Sequence, residues 1–117
     1  MADTATSTQL RRGVVGPCIL ALLATEPRYG LQLVKDLDAI GGLLTSHGTV
    51  YPLLNRLQEA GLVSSHWQVS DDERPRRYYD ITEAGRAELR GFQDDWHQFA
   101  GAVSALLATL PTESDRP

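Results

Sequence analysis

Apolar side chains recur along this chain at two different periods, and the place where the period changes divides it. Pro17, at a first helical position where a missing N–H removes no bond, opens a run through Ile19, Leu20, Leu22 and Leu23 that stops at Pro27. The preceding LRRGVV either extends that helix backward or forms an arm. Over residues 29–40, Leu33, Val34, Leu37 and Ile40 share one helical face, Lys35, Asp36 and Asp38 take the other, and Gly41-Gly42 closes the helix. Ser46 is placed to cap a third helix, whose Val50, Leu53, Leu54 and Leu57 face inward and whose end falls at Gly61. Three short helices in succession predict a helix-turn-helix core.

Beyond Gly61 the period becomes two. LVSSHWQV alternates Val63, Ser65, Trp67 and Val69 with Leu62, Ser64, His66 and Gln68, and RRYYDI is rich in aromatic and branched residues, so both are predicted strands. The polar SDDERP between them makes a hairpin, the wing of a winged helix-turn-helix, and Trp67 is expected to pack beneath it. Thr82, with Glu83 and Gly85 following, then caps a last helix. On it Leu89, Phe92, Trp96, Phe99, Val103, Leu106 and Leu110 follow alternating spacings of three and four until Pro111, with Arg90, Asp94, Asp95, His97 and Gln98 off the seam. Such a helix, roughly 40 Å long, needs a partner: a second copy of the chain, or its own first helix.

Composition narrows the classes. The 117 residues suit one domain with a modest core, and 42% hydrophobic content fits a globular chain. No apolar run approaches the roughly 18 residues of a membrane span, and MADTATSTQ lacks the basic start and apolar core of a secretory signal, so a cytoplasmic protein is expected. Cys18 lies in the apolar CILALLA and reads as a structural thiol. A net charge of −4 argues against a generally basic nucleic-acid binder but leaves room for a local basic surface. Every basic side chain except Lys35 is an arginine, which suits bidentate phosphate or guanine contacts and equally suits a GC-rich genome. No glycine-rich phosphate loop or nucleophile elbow is present, and His47, His66, His97 and Cys18 fall in different elements without metal-ligand spacing. Neither an enzyme nor a cofactor or metal site is expected.

In combination, ALLATEPRYGLQLVKDL, GTVYPLLNRLQEAGLV and RRYYDITEAGRAEL resemble the first two helices, the recognition helix and the wing-to-dimerisation segment of the PadR family of winged-helix transcriptional regulators, in its short-chain subgroup. The resemblance runs from about Gly16 to Leu107. Leu31 stands where the family has an aromatic, Tyr29 replaces a histidine, and Asp71, Asp72 and Glu73 make the wing tip unusually acidic. The fold class implied is mainly α (α+β), a winged helix-turn-helix with a C-terminal dimerisation helix. Its divisions are a flexible tail at 1–9, a DNA-binding domain at 10–81, a dimerisation helix at 82–110 and a second tail at 111–117.

The same resemblance implies a sequence-specific, homodimeric DNA-binding regulator, a repressor on a pseudo-palindromic operator. A recognition helix presents its N-terminal residues to base edges in the major groove. Here these are Ser46, His47, Thr49, Tyr51, Pro52 and Asn55, with Arg56 toward the side of the helix. If the helix begins with Thr49 as cap, Pro52 is its third residue and the missing N–H is one that needs no partner; if it begins at Ser46, the ring opposes the Gly48 carbonyl and kinks the first turn. On the wing, Arg74, Arg76 and Arg77 are candidates for phosphate or the minor groove, with Arg76 and Arg77 ranked above Arg74 because they lie farther from the acidic tip. Leu89, Phe92, Trp96, Phe99, Val103, Leu106 and Leu110 form the candidate dimer interface. Phe92 and Trp96 either fill that seam or stack on a small aromatic effector, which some family members bind between these helices. The competing reading is a winged-helix protein-interaction module that has lost DNA binding, suggested by the acidic charge and wing tip.

Overall fold

Pro17 does not open a helix. In the computed structural model, which describes residues 5–41 and 47–111, helix α1 spans Ala5–Thr25 with Pro17 inside it. LRRGVV therefore extends the helix backward, and residues 5–9, expected in a flexible tail, are its first turns. The end of α1 is held by Arg28, whose side chain is only 14% exposed. Its guanidinium donates to the Leu22 carbonyl and to Thr25 Oγ1 (3.2 Å), and Nε pairs with Asp36 at 2.9 Å. A cation over the last carbonyls of a helix satisfies them and complements the helix dipole.

Arg28–Tyr29 form strand β1, too short to be seen as a periodicity, and Tyr29 then caps α2, Gly30–Ala39. The Tyr29 N–H donates to Gln32 Oε1 three residues on (3.1 Å). After a 3-10 turn at His47–Thr49, α3 spans Val50–Glu59 with Thr49 at its cap position. It ends in a Schellman motif: the Gly61 and Leu62 N–H groups donate to the Gln58 and Leu57 carbonyls at 3.0 and 2.9 Å. The motif requires a left-handed residue, and Gly61 takes φ 76°.

Strands β2 (Val63–Val69) and β3 (Pro75–Ile81) form the wing, and β1 joins the far edge of β3 to give an antiparallel sheet of order β1-β3-β2. The register pairs Val63 with Ile81, Ser65 with Tyr79, Trp67 with Arg77 and Val69 with Pro75, so these residues share one face. At the base of the wing that face closes the core: Val63, Tyr79 and Ile81 cluster with Ile19, Leu23, Leu33, Leu37, Val50 and Leu54. Farther out the core has ended, and Trp67, expected under the wing, is 70% exposed.

Helix α4, Glu83–Leu107, starts at a double clamp. Thr82 Oγ1 donates to the Gly61 carbonyl (2.6 Å) and accepts from the Gly85 N–H (3.0 Å). A Cβ at Gly85 would stand 2.1 Å from the Leu62 carbonyl oxygen, so only glycine admits this approach of helix to strand. Early in α4 Leu89 packs against the core, and Phe92 is half-buried near α1. The rest of the stripe is uncovered: Trp96 is 41% exposed, Phe99 59% and Leu106 70%. The two sequence readings of the stripe thus divide along its length, with its first part folded on the chain's own first helix and the remainder free. Leu110 lies past the helix end. The molecule measures 64 × 31 × 21 Å.

Candidate nucleic-acid interface

Val50 and Leu54 are fully buried, which turns the other side of α3 outward, and Tyr51, Pro52, Asn55 and Arg56 are all exposed there. With Thr49 at the cap, Pro52 is the third residue of the helix, where an N–H has no intrahelical partner. The missing N–H therefore removes no helical bond, and the ring is exposed. Thr49 is also exposed. Ser46 lies outside the described residues, as does the side chain of His47. The Tyr51 ring lies across Gly30: a Cβ there would meet the ring at 2.3 Å, so the first turn of α2 makes room for it.

The wing tip is a tight turn built by its own acids. The Glu73 N–H donates to the Ser70 carbonyl and the Ser70 N–H to the Arg74 carbonyl, both at 2.9 Å, with Glu73 in the left-handed region at φ 65°. This is a type I turn followed by a bulge residue that is usually glycine. Asp72 organises it, accepting from Ser70 Oγ, from the Arg74 N–H (3.2 Å) and from Arg76 Nη2 (2.8 Å). The Arg76 hydrogen bond, then that of Ser70, holds the Asp72 carboxyl well below its ordinary range, and the same bond raises the Arg76 guanidinium. At least one of the three acids is therefore neutralised within the turn.

The arginines differ in what they are doing. Arg76 is 22% exposed, paired with Asp72 and lying 4.4 Å over the Tyr29 ring. Arg77 donates to Ser65 Oγ (3.0 Å) and Gln58 Oε1 (3.2 Å), and Gln58 Nε2 donates to the same Ser65 oxygen (3.0 Å). Arg74 is 76% exposed and only 4.0 Å from Asp72. For Arg74 and Arg76 availability thus runs opposite to the ranking by distance along the chain, because the Asp72 carboxylate pairs closely with Arg76, four residues on, at 2.8 Å and only loosely with the Arg74 guanidinium at 4.0 Å. Sequence reasoning missed Gln58 and Ser65, which join α3 to the wing; they meet only through tertiary packing and leave no local signal.

A second feature lies between α1 and α4. Pro17, Cys18, Ala21, Leu89, Phe92 and Trp96 line an open apolar groove of about 290 Å³, in which the Phe92 and Trp96 rings stack with centroids 6.0 Å apart. Burial raises the Cys18 thiol pKa, as suits an inert structural cysteine. Among the described residues no cluster of His, Cys, Asp and Glu could hold a metal ion, and no helix is long and apolar enough to cross a membrane.

A three-stranded sheet with a wing, an outward-facing third helix and a long final helix define a winged helix-turn-helix protein. The chain belongs to the PadR-like family of transcriptional regulators, whose family model matches residues 19–91. It is 40% identical over 81 residues to the transcriptional regulator Rv3488 of Mycobacterium tuberculosis, a match covering 69% of this chain and 74% of that protein. Among solved structures, a PadR-like transcriptional regulator from Bacillus cereus aligns with a TM-score of 0.79 at 34% identity, over 85% of this chain and 96% of its own. A PadR family transcriptional regulator from Eggerthella lenta aligns with a TM-score of 0.77 at 37% identity, over 91% and 92%. Membership of a family of DNA-binding regulators, not enzymes, agrees with the lack of catalytic motifs in the sequence.

Proposed function

We propose that this protein is a sequence-specific transcriptional regulator that binds double-stranded DNA as a homodimer, acting in the cytoplasm as a repressor on a pseudo-palindromic operator. The observation that carries this reading is the α3 surface, on which Thr49, Tyr51, Pro52, Asn55 and Arg56 are exposed opposite fully buried Val50 and Leu54. Ser46 and His47 adjoin this surface in the sequence. Tyr51 hydroxyl and Asn55 amide are the base-edge or phosphate candidates, Arg56 and Arg74 the phosphate contacts. Arg76, paired with Asp72, serves chiefly to hold the wing, while Arg77 braces it against α3 and keeps its charge for DNA. In this reading residues 10–81 bind DNA and the segment 82–110 pairs with a second copy chiefly through its uncovered Trp96, Phe99, Val103, Leu106 and Leu110, with Leu89 and Phe92 at the inner end against the chain's own core and first helix. Recognition helices about 34 Å apart in that dimer would read half-sites one helical turn apart. Repression rests on the family resemblance. The groove beside Phe92 and Trp96 suits a small planar aromatic effector, which would release the DNA.

The deciding experiment is a fluorescence-anisotropy titration against the DNA upstream of the protein's own gene, with unrelated duplex as competitor. Tight binding that survives competitor and falls by about three to five decades between roughly 50 and 200 mM salt is expected for a dimer neutralising about 6–10 phosphates. Arg74→Ala should lower the salt slope by about one per protomer. The protein-interaction reading predicts neither effect, and the pairing of Asp72 with Arg76 removes part of its support.

A further inference from the structure

Trp67 is a large apolar side chain left in water on a rigid strand. Val69, 66% exposed, and its register partner Pro75 continue from it, so the outer half of one wing face is an apolar strip with no core beneath it. Trp67 and Pro75 of this strip line an open cleft of about 410 Å³ together with Leu31 and Tyr51, at the starts of α2 and α3, and with Tyr79, Arg76 and Arg77. Arg77, which lines the cleft, reaches from the wing to Gln58 of α3. Its hydrogen-bond partners there, Ser65 and Gln58, are neutral. No carboxylate is among the residues that line the cleft, in a chain whose net charge is −4. An apolar strip beside an arginine complements a surface that is itself apolar and anionic in alternation.

We propose that this cleft receives the DNA backbone between the groove occupied by α3 and the groove reached by the wing tip, with the Trp67 indole laid against deoxyribose. The inference rests on the reading of α3 and the wing as a DNA interface. The sugar edge is the apolar part of the duplex exterior, and the adjoining phosphates would meet Arg77 in the cleft and Arg74 at the tip. Because every nucleotide carries the same sugar, Trp67 contributes affinity without reading sequence.

The test compares the full-length parent with Trp67→Ala and Trp67→Phe, titrated against an arbitrary duplex at roughly 50 mM salt and at higher salt steps, so that no operator need be known. The expected loss for Trp67→Ala is about ten-fold in affinity, the scale of returning one partly covered aromatic side chain to water, with most of it restored by Trp67→Phe. The dependence on salt should keep its slope, since an indole displaces no counterion. Thermal unfolding and sedimentation should match the parent. Equal binding by Trp67→Ala and the parent overturns the proposal while leaving the DNA interface standing. A parent that binds no duplex at low salt overturns the interface reading and this inference with it. A changed sedimentation coefficient for Trp67→Ala overturns it in favour of a contact between copies of the chain.

Discussion

The core beneath the wing and the far half of α4 are built from the same kinds of side chain and stand in opposite surroundings. Leu33, Leu37, Val50 and Leu54 are fully buried where three helices and a sheet converge, whereas Phe99, Leu106 and Leu107, on an equally regular helix, are each more than half exposed. Helical spacing aligns apolar residues on one face in both places. What differs is reach. The core is made where two ten-residue helices, α2 and α3, pack with the second half of α1, while α4 has 25 residues and carries its outer apolar face beyond that core. In the proposed dimer the face on the projecting helix finds its partner in a second copy, so its contribution would depend on concentration, and that of the core does not.

The contrast can be broken from either side. Leu54→Ala opens a cavity where α3 meets the core and is expected to destabilise the protein by about 2–5 kcal/mol at every concentration, read as a lower urea midpoint. Leu106→Asp should leave the dilute chain as stable as the parent but weaken self-association by about 100-fold, from the roughly 1.5–3 kcal/mol carried by each buried leucine, measured by analytical ultracentrifugation. Should Leu106→Asp instead unfold the dilute chain, the outer half of α4 would belong to the core after all. The smallest expected effect lies in the wing, which neither region covers. Asp72 is more acidic folded than unfolded, so its contribution is present above the ordinary carboxylate range and fades as pH falls through it. Asp72→Asn should therefore lower the melting temperature slightly at pH 7, and the gap to the parent should narrow below about pH 4 in a thermal melt followed at stepped pH.

The elements that follow a single period over several turns were legible in the sequence: α2, α3, both wing strands and α4 fall within a few residues of their predicted positions. Misplacements arose where one residue carries two meanings. Pro17 suits a first turn, and an interior proline costs a helix a hydrogen bond, so the sequence left the extension of α1 through LRRGVV open and assigned residues 5–9 to a tail, whereas the helix runs from Ala5 through the proline. Alternation put Trp67 on the core-facing side of β2 correctly, but it could not tell how far along the strand the core extends. The exposed face of α3 was readable because burial of Val50 and Leu54 dictates it. The state of the wing arginines was not, since a carboxylate at the tip selects its partner through turn geometry, and the Arg77–Ser65–Gln58 junction spans up to 19 residues of sequence.

The clamp among Gly61, Thr82, Gly85 and Leu62 has a mechanical consequence. It welds the first turn of α4 to the last turn of α3 through a hydroxyl bridge and a backbone contact too close for any side chain to intervene. The two helices then behave as the arms of a bell crank. A rotation of about 5° at this joint sweeps the far end of a 25-residue helix, roughly 37 Å long, through about 3 Å. With such a joint, holding the distal end of α4 would constrain the pitch of α3, and a small displacement at one arm would reach the other as an angle.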